Sequence, residues 1–511
     1  MNLKPLLLML GLACIPATLA AQKIYSLSSP DGNLRTTVTV GEEIRVALDA
    51  GDTPLLAPSP VSMTLEDGEV LGRNARVVRA EKSSVDRTIA SPFYKKSRVG
   101  ERYNQLTLSF RGDFGLVFRL YDDGLAYRFT TDREGTLRIG DECVAFSFPA
   151  DCRAVVPYVA RGRDFDFESQ FFNSFENTYT TARITELNPG RLIFLPALVE
   201  LDGGYKLVIT EADLEGYPGL YLRGNGETPE LRGVFAPYPK REEQGGHNRL
   251  QMLVREREGY IASTVGKRAF PWRTVVVGDT PGDLATSRLM LNLNEPSKIE
   301  DTSWIRPGKY IGIWWSMHLF QETWAQGPEH GATTENMMRY IDFAAENGIR
   351  GVLAEGWNVG WDGAWTKNTD RISFTQPYPD FDIARIAEYA ASKGVELIGH
   401  HETGANTKNY EAQMEEAFAF YRKYGVRVVK TGYVNVLMDG KELHDSQYGV
   451  RHYRRVIETA ARYGICIDNH EPVMPTGLER TWPNLMTQEG VRGQEYNAWS
   501  PDGGNPPEHT T

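Results

Sequence analysis

The 511-residue sequence has few cysteines and no surplus of basic residues. None of its four cysteines forms a CxxC pair, so the spacing predicts no zinc site. Its 56 lysines and arginines are outnumbered by 67 aspartates and glutamates, which gives a formal net charge of −11. Because nucleic-acid binding requires a basic face, this balance argues against a nucleic-acid partner and favours a cation or a neutral ligand.

Long apolar runs are also absent beyond the N-terminus. Residues 1–21 are typical of a secretory signal peptide, with a lysine, an apolar run from Leu6 to Ile15, and small residues near position 20. No later run is long enough to span a bilayer. We therefore expect a mature protein that is soluble in the periplasm or secreted. A lipid anchor on Cys14 is the alternative, although Gly11 stands where such sites favour a larger aliphatic residue.

The remaining cysteines suggest no chemistry of their own. Cys143 and Cys152 lie in the strand-like segment CVAFSFPADC and could pair in an oxidising compartment. Cys466 lies in the apolar stretch YGICIDN, where a core thiol is the simplest interpretation.

Residues 22–300 are dominated by alternating apolar and polar residues, as in RTTVTV, EIRVAL and LVFRLYDDGLAYRF. This period of two predicts β-strands, and Asp123-Gly124 is a hairpin signal between two of them. Helical periodicity is scarce here. The size of the segment favours a β-super-sandwich over a small immunoglobulin-like unit.

Residues 301–511 show a different pattern, in which helices alternate with short apolar strands. Four helical segments end at a glycine (Gly348, Gly394, Gly425 and Gly464), and a strand follows each one. Nearly continuous apolar strands are typical of parallel strands buried on both faces. The class is therefore multidomain β plus α/β.

An open parallel sheet and a closed barrel both fit this alternation. No GxGxxG follows the first strand, KYIGIWW, so a dinucleotide-binding sheet has no support. The ends of successive strands instead carry polar or aromatic residues, as a (β/α)8 TIM-type barrel would place them: Glu355, Trp357, His400, His401, Glu402, Lys430, Tyr433, Asn469, His470 and Glu471. About six strands precede Thr511, so we predict a partial barrel that is incomplete at the C-terminus.

The motifs HHE (400–402) and NHE (469–471) both stand at strand ends. Residues two apart on a strand share a side, so His400 and Glu402 can face one pocket. If either motif occurred alone, a purely structural role would be the alternative: a histidine hydrogen-bonded in the core and a glutamate in a salt bridge. The recurrence of the motif weakens that alternative.

Two further acids, Glu489 and Glu495, lie in TQEGVRGQEYN, where solvated surface residues are the ordinary interpretation. Four glutamates at one barrel mouth would repel one another unless a cation or a shared proton relieved them. An all-carboxylate set selects a hard ion, and calcium tolerates loose oxygen coordination better than magnesium does.

Paired carboxylates and abundant tryptophans suggest hydrolysis of a sugar bond. One carboxylic acid protonates the departing oxygen, while a carboxylate attacks the anomeric carbon or activates water. Five tryptophans are candidates for apolar faces against sugar rings, with core packing as the alternative for each: Trp314, Trp315, Trp357, Trp361 and Trp365. A metal-dependent amidohydrolase is disfavoured because the first strand lacks HxH.

At these residues the chain resembles glycoside hydrolase family 97, and within it the SusB-type α-glucosidases. The resemblance covers the chain after the signal segment and rests on LNLNEPSKI, KYIGIWW, EGWN, HHET, VKTGYV, HEPVMPTG and RTWPNLMTQEGVRGQEY. It implies a β-super-sandwich, a (β/α)8 barrel and a small C-terminal β domain, of which the last is not found in this sequence.

The resemblance also implies roles for individual residues. Glu495 would be the general acid, and Glu402 and Glu471 would activate water. Three histidines, His400, His401 and His470, would line the sugar subsite together with these last two glutamates. Calcium would be bound by glutamates of both domains: Glu176, Glu471, Glu489 and Glu495.

Gly432 decides the predicted mechanism. Retaining members of the family carry an aspartate nucleophile there, so glycine favours an inverting, calcium-dependent α-glucosidase that releases glucose from malto-oligosaccharides or starch fragments. The alternatives are an α-galactosidase or another hexosidase of the family, and a non-catalytic glycan-binding protein. A monomer or weak dimer is expected.

Overall fold

The computed structural model describes residues 22–506 apart from positions 92, 160–166, 172–173, 246–250, 436 and 500–503. The predicted signal peptide lies outside the described residues. Among the described helices, none combines the length and apolar character required to cross a bilayer.

The N-terminal part is built from antiparallel strands, as the alternating pattern predicts. They are β1 Lys23–Ser28, β2 Leu34–Val40, β3 Ile44–Ala50, β4 Thr53–Leu65, β5 Val70–Leu71, β6 Val77–Ala90, β7 Arg98–Phe110, β8 Phe114–Tyr121, β9 Gly124–Ser147, β10 Arg153–Pro157, β11 Tyr179–Arg183, β12 Ala197–Glu200, β13 Lys206–Ala212, β14 Tyr221–Gly224, β15 Glu230–Val234, β16 Pro239–Gly245, β17 Gln251–Arg257, β18 Ala262–Ala269 and β19 Trp272–Gly278. Two short helices follow, α1 Pro281–Thr286 and α2 Leu289–Leu293.

The long strand β9 joins the layers of this β-rich part. Its first half pairs with β8 through the hairpin at Asp123-Gly124, and its second half pairs with β4. Alternate side chains of these strands are buried in one large apolar cluster, with Leu48, Phe118 and Ile139 fully covered. The predicted β-rich N-terminal part and the hairpin are thus confirmed, because a two-residue period buries one face of each strand.

The C-terminal part alternates strands and helices. Its elements are β20 Tyr310–Gly312, α3 Trp314–His318, α4 Thr334–Glu346, β21 Gly351–Leu353, α5 Ile383–Ser392, β22 Glu396–Glu402, α6 Thr407–Lys423, β23 Val428–Gly432, α7 Gln447–Arg462, β24 Cys466–His470, β25 Leu485–Glu489 and α8 Tyr496–Trp499. Among the described residues, short 3-10 helices lie in the connections of both parts: Phe167–Phe171, Ile184–Glu186, Trp365–Lys367, Thr369–Arg371 and Leu478–Arg480.

The strands β20 to β25 form one sheet in sequential order, and every neighbouring pair is parallel. Helices cover its outer face, where Ile341, Ile386 and Phe418 are buried. The parallel α/β prediction is confirmed, including the sixth strand at 485–489. Closure of these strands into an eight-stranded barrel stays a prediction.

Capping side chains begin the helices of this part, and glycines end them. Side chains of Thr333, Asp382, Asn406 and Ser446 accept the first free backbone N–H groups of α4, α5, α6 and α7. The four glycines predicted to end helices all have positive φ, between 63° and 78°. Glycine adopts this conformation without a Cβ penalty, so each helix stops and the next strand begins.

Cys143 and Cys152, which the sequence left as a possible pair, form no disulfide bond in the structure. Both thiols are free, and Cys152 Sγ donates to the carbonyl of Ala150 at 3.2 Å. Cys466 is buried and free, as expected of a core thiol.

Candidate active site

The carboxyl ends of β22, β23 and β24 bring the polar motifs together. In the parallel register, His400 stands opposite Lys430 and Glu402 stands opposite Gly432. His400 and Glu402 are 3% and 8% exposed, so both are buried beneath the mouth of the sheet. The two-residue spacing therefore places them on one side of the strand, as predicted.

Lys430 is the cation at the centre of this group. Its Nζ lies 3.0 Å from Glu489 Oε2 and 3.8 Å from Glu355 Oε1. Burial lowers the pKa of Lys430, but these two carboxylates more than offset the effect, so the ammonium stays charged. His400 Nε2 lies 3.9 Å from Glu355 Oε1, and His470 Nε2 lies 3.7 Å from Glu489 Oε1.

Glu402 occupies the space beside Gly432. Its Oε1 accepts the backbone N–H of Gly404 at 2.7 Å, and its Oε2 lies 1.9 Å from where a Cβ on residue 432 would be. Burial raises the pKa of Glu402 to about 7, although the N–H groups of Gly404 and Val434 lower it. Any residue with a Cβ at position 432 would collide with Glu402 in this conformation, so Glu402 would have to move.

Glu471 is held in an unusual backbone conformation, with φ of +51°. Its Oε2 accepts the Tyr433 N–H at 2.6 Å, and its carbonyl oxygen accepts the Tyr453 hydroxyl at 2.5 Å. Burial raises the pKa of Glu471 well above its usual value, and the charge of Glu402 raises it further. Two such buried carboxyls resist ionising together, because a charge on one raises the pKa of the other.

The glutamates expected to bind calcium lie near one another. Burial raises the pKa of Glu176, and the charges of Glu495 and Glu489 add to that rise. The Tyr496 hydroxyl donates to Glu176 Oε2 at 3.4 Å, which joins α8 to the β-rich part. Over the described ranges, no group of three or more His, Cys, Asp or Glu side chains converges as a metal site. The calcium set stays a prediction.

His401 lies apart from this group, which corrects the expectation that it lines a sugar subsite. It is fully buried among the rings of Phe374, Tyr410, Phe418 and Tyr421, and its Nδ1 lies 2.9 Å from the Tyr410 hydroxyl. The pleat of β22 is the reason, since successive side chains point to opposite faces.

Three of the candidate tryptophans lie around His400: Trp357, Trp361 and Trp365. Trp357 is in the core, where its Nε1 donates to the His400 carbonyl at 3.1 Å. Trp361 stacks on the His400 ring, with centroids 5.8 Å apart, and Trp365 contacts Trp361 with centroids 4.5 Å apart. The His400 side chain is therefore held against a cluster of aromatic rings.

Several supporting residues carry no local signal in the sequence. Tyr453 lies on α7, 18 residues before Glu471, and only tertiary packing brings its hydroxyl to the Glu471 carbonyl. His452 bridges Glu411 and the Tyr433 hydroxyl, at 2.8 and 3.1 Å. The helical spacing of α7 places these side chains on its buried face, but the spacing alone does not indicate their partners.

This arrangement suits acid–base cleavage of a glycosidic bond. Such cleavage requires one carboxylic acid and one carboxylate near the same bond. Glu402 and Glu471 are two neighbouring carboxyls whose pKa values burial raises, which is the type of environment that acid–base catalysis uses. Residues 314–491 match the family model described as Glycoside hydrolase 97, and residues 27–296 match the one described as Glycosyl-hydrolase 97 N-terminal. The chain belongs to glycoside hydrolase family 97.

Relatives within family 97 cover most of the chain. A retaining alpha-galactosidase from Bacteroides thetaiotaomicron is 42% identical over 498 residues, which are 96% of this chain and 71% of the relative. A probable retaining alpha-galactosidase from Streptomyces bingchenggensis is 28% identical, over 92% of this chain and 64% of the relative. A solved family 97 enzyme from Pseudoalteromonas sp. strain K8, in complex with acarbose, has a TM-score of 0.85 at 34% identity, covering 95% of this chain and 72% of that one.

These relatives confirm family 97 and a glycosidase, and they contradict the predicted inverting α-glucosidase. The 42% identical relative is named a retaining alpha-galactosidase, so the alternative weighed beside the main prediction is the better supported one. The error lay in relying on Gly432. In the structure, the Glu402 carboxylate fills the space where a side chain of residue 432 would be. A carboxylate is therefore present at that place although residue 432 is a glycine.

Proposed function

We propose that this protein hydrolyses terminal α-galactosidic bonds. The observation that carries the proposal is its 42% identity, across 96% of the chain, to a protein named a retaining alpha-galactosidase. The buried carboxyl pair Glu402 and Glu471 supports it with suitable chemistry. At 8% and 9% exposed, both residues suit a pocket that takes one terminal sugar unit.

The residues of the candidate active site have separate roles in this proposal. Glu495 donates a proton to the departing oxygen, and the ionised member of the pair Glu402 and Glu471 acts at the anomeric carbon. Lys430 and His400 bind sugar hydroxyl groups, while the buried Trp361 stacks on the His400 ring and holds it in place.

A panel of p-nitrophenyl α-glycosides tests the substrate. We expect the highest kcat/KM with the α-galactoside, because two of the relatives are named a retaining and a probable retaining alpha-galactosidase. A preference for the α-glucoside, or turnover of neither, would contradict the proposal.

Proton NMR of the first sugar released assigns the role of Glu402. Release of α-galactose first would show a retaining reaction through a covalent intermediate, and Glu402 is the proposed nucleophile because its carboxylate lies where a side chain of residue 432 would be. Release of β-galactose first would assign the attack to water.

We propose further that calcium binds at Glu176, Glu471, Glu489 and Glu495. An all-oxygen donor set is what calcium prefers. Burial raises the pKa of Glu176 and Glu471, repulsion from neighbouring carboxylates adds to the rise, and a cation would relieve that repulsion. When bound, calcium would supply positive charge that favours the ionised forms of Glu176, Glu471 and Glu489, while Glu495 must keep its proton to act as the acid.

Titration calorimetry with Ca²⁺ tests this site independently of activity. We expect binding by the parent protein and weaker binding by Glu489→Gln, together with reversible loss of activity in EDTA. The absence of bound calcium together with indifference to EDTA would remove the metal from the proposal.

A further inference from the structure

An exposed apolar patch lies at the carboxyl end of β20, on the same edge of the sheet as Glu402. It consists of Trp315, Leu319 and Phe320, which are 41%, 49% and 92% exposed. We call this set the outer patch. Large apolar side chains concentrated in so short a stretch of surface are typical of a binding site.

Phe320 is both the most exposed and the most strained member of the outer patch. Its φ is +57°, in the left-handed region that disfavours residues with a Cβ. Glycine or asparagine would occupy that position at lower cost. A buried ring would offset the free-energy cost of this backbone strain through its packing contacts. The Phe320 ring is exposed and makes little such contact, so the strain suggests that the exposed ring has a function.

The turn that carries Phe320 is firmly held. The Phe320 N–H donates to the Met317 carbonyl at 3.1 Å, and the Gln321 N–H donates to the Ser316 carbonyl at 3.0 Å. The Ser316 hydroxyl donates to Glu322 Oε2 at 2.5 Å. Phe320 is therefore presented by a braced turn, which lowers the entropy cost of binding a ligand against it.

Aromatic rings connect the outer patch to the buried carboxylates. Successive ring centroids are 5.8, 6.3, 5.6, 3.9 and 5.8 Å apart along the series His400, Trp361, Trp324, His318, Trp314 and Trp315. The series begins beside the pocket for the terminal sugar and ends in the outer patch.

We propose that Trp315 and Phe320 form a platform for the sugar units on the leaving-group side of the scissile bond. The inference rests on the proposed function: when the terminal galactosyl unit fills the buried pocket, the rest of the substrate extends outward over the edge of the sheet. Apolar ring faces then bind the C–H faces of those units. The substrate class is an oligosaccharide with a terminal α-galactosyl unit and at least two further sugars.

Two substrates of different length test the platform. p-Nitrophenyl α-galactoside has one sugar, and the tetrasaccharide stachyose has three beyond its terminal galactose. We expect Trp315→Ala and Phe320→Ala to lower kcat/KM for stachyose about three- to tenfold each, in line with the contribution of one aromatic contact, and to leave the short substrate unchanged. Phe343→Ala is the matched control, since Phe343 is 53% exposed on α4 and should affect neither substrate.

Phe320→Gly gives a second, independent readout. Removal of the ring also removes the left-handed strain, so we expect a higher thermal midpoint together with a lower kcat/KM for stachyose. A purely structural Phe320 would lose both stability and activity. Unchanged stachyose kinetics in the alanine and glycine variants would overturn the platform.

Direct binding separates this inference from the proposed function. If the parent hydrolyses neither galactoside, the proposed function fails. The platform is then judged by calorimetric binding of stachyose and maltotetraose, where Phe320→Ala should raise the Kd of at least one about three- to tenfold. Equal Kd values in the parent and this variant would overturn the platform in that case as well.

Discussion

At the scale of single residues, the strongest constraint is on Glu471. A glutamate at φ +51° is strained, and three hydrogen bonds hold it: to the Glu489 carbonyl, from the Tyr433 N–H and from the Tyr453 hydroxyl. Strained residues of this kind persist where the surroundings over-determine them, and they cluster at functional sites. The strain therefore supports a functional role for Glu471 independently of the sequence motif.

Tyr453→Phe tests this constraint. Loss of the hydroxyl frees the Glu471 carbonyl, so we expect kcat to fall about tenfold or more through misplacement of the carboxylate, while KM changes little. The lost hydrogen bond should cost about 1 kcal/mol of stability. Tyr463→Phe is the control, because that hydroxyl contacts Glu415 on the exposed face. Lower stability with unchanged kcat would assign Tyr453 a structural role alone.

Glu402→Gln removes one member of the carboxyl pair while conserving its shape. We expect kcat to fall by about 10²-fold or more, which is the scale of acid–base catalysis, and the thermal midpoint to be retained. Glu415→Gln, at a side chain 60% exposed, should have no effect. Near-normal turnover by Glu402→Gln, measured with p-nitrophenyl α-galactoside, would exclude Glu402 from catalysis.

At the scale of elements, the packing of α6 on β22 positions the backbone of His400 and, with it, the residues of the candidate active site. The Tyr421 ring lies against Gly399, where a Cβ would stand 2.6 Å from the ring. Its hydroxyl accepts the His400 N–H at 2.8 Å and lies 3.1 Å from the His400 carbonyl. A glycine is therefore required one residue before the HHE motif, because the helix must approach the strand closely.

Gly399→Ala should disturb this contact. The added methyl group forces the Tyr421 ring away from β22, and overpacking of this kind costs about 1–3 kcal/mol. We expect a lower thermal midpoint and reduced activity, since His400 and Glu402 follow on the same strand. Gly259→Ala is the control, because nothing lies within 4 Å of its added Cβ. Equal thermal midpoints for the two variants would refute the packing argument.

At the scale of the whole molecule, buried polar groups join the β-rich part to the α/β part. The Tyr221 hydroxyl donates to Asp445 Oδ2 at 2.5 Å, and Gln447 Nε2 donates to the Gly216 carbonyl at 2.5 Å. Burial raises the pKa of Asp445 to about 7, and the charge of Glu211 adds to the rise while Tyr221 lowers it. The interface between the two parts therefore contains a group that titrates near neutral pH.

The stability of the protein should fall with pH through this group. A carboxyl with a raised folded pKa stabilises the fold while protonated, and that contribution is lost between its unfolded pKa near 3.8 and its folded pKa of about 7. Asp445→Asn keeps an acceptor for Tyr221 and cannot ionise. We expect its thermal midpoint, relative to the parent, to rise from pH 4 to pH 7 and then stay level.

Thermal unfolding at several pH values measures this effect. Each unit of pKa difference is worth about 1.4 kcal/mol. Asp52→Asn, at an exposed position in the turn before β4, should leave the pH dependence unchanged. Parallel curves for the parent and Asp445→Asn would exclude Asp445 as the titrating group.

Much of the architecture follows from the sequence alone. The two-residue period of 22–300 required strands with one buried face, and the glycines at 348, 394, 425 and 464 marked where helices end. The spacing of His400 and Glu402 placed them on one side of β22. These features depend on neighbouring residues in the chain, so local stereochemistry determines them.

Only the tertiary structure decided the surroundings of the site. The family resemblance assigned His401 to the sugar subsite, whereas the rings of Tyr410, Phe418 and Tyr421 on α6 enclose it in the core. Gly432 suggested a missing nucleophile, but Glu402 reaches across from the neighbouring strand to fill that space. Strand register and helix packing join residues tens of positions apart, and no periodicity within one segment specifies which of them meet.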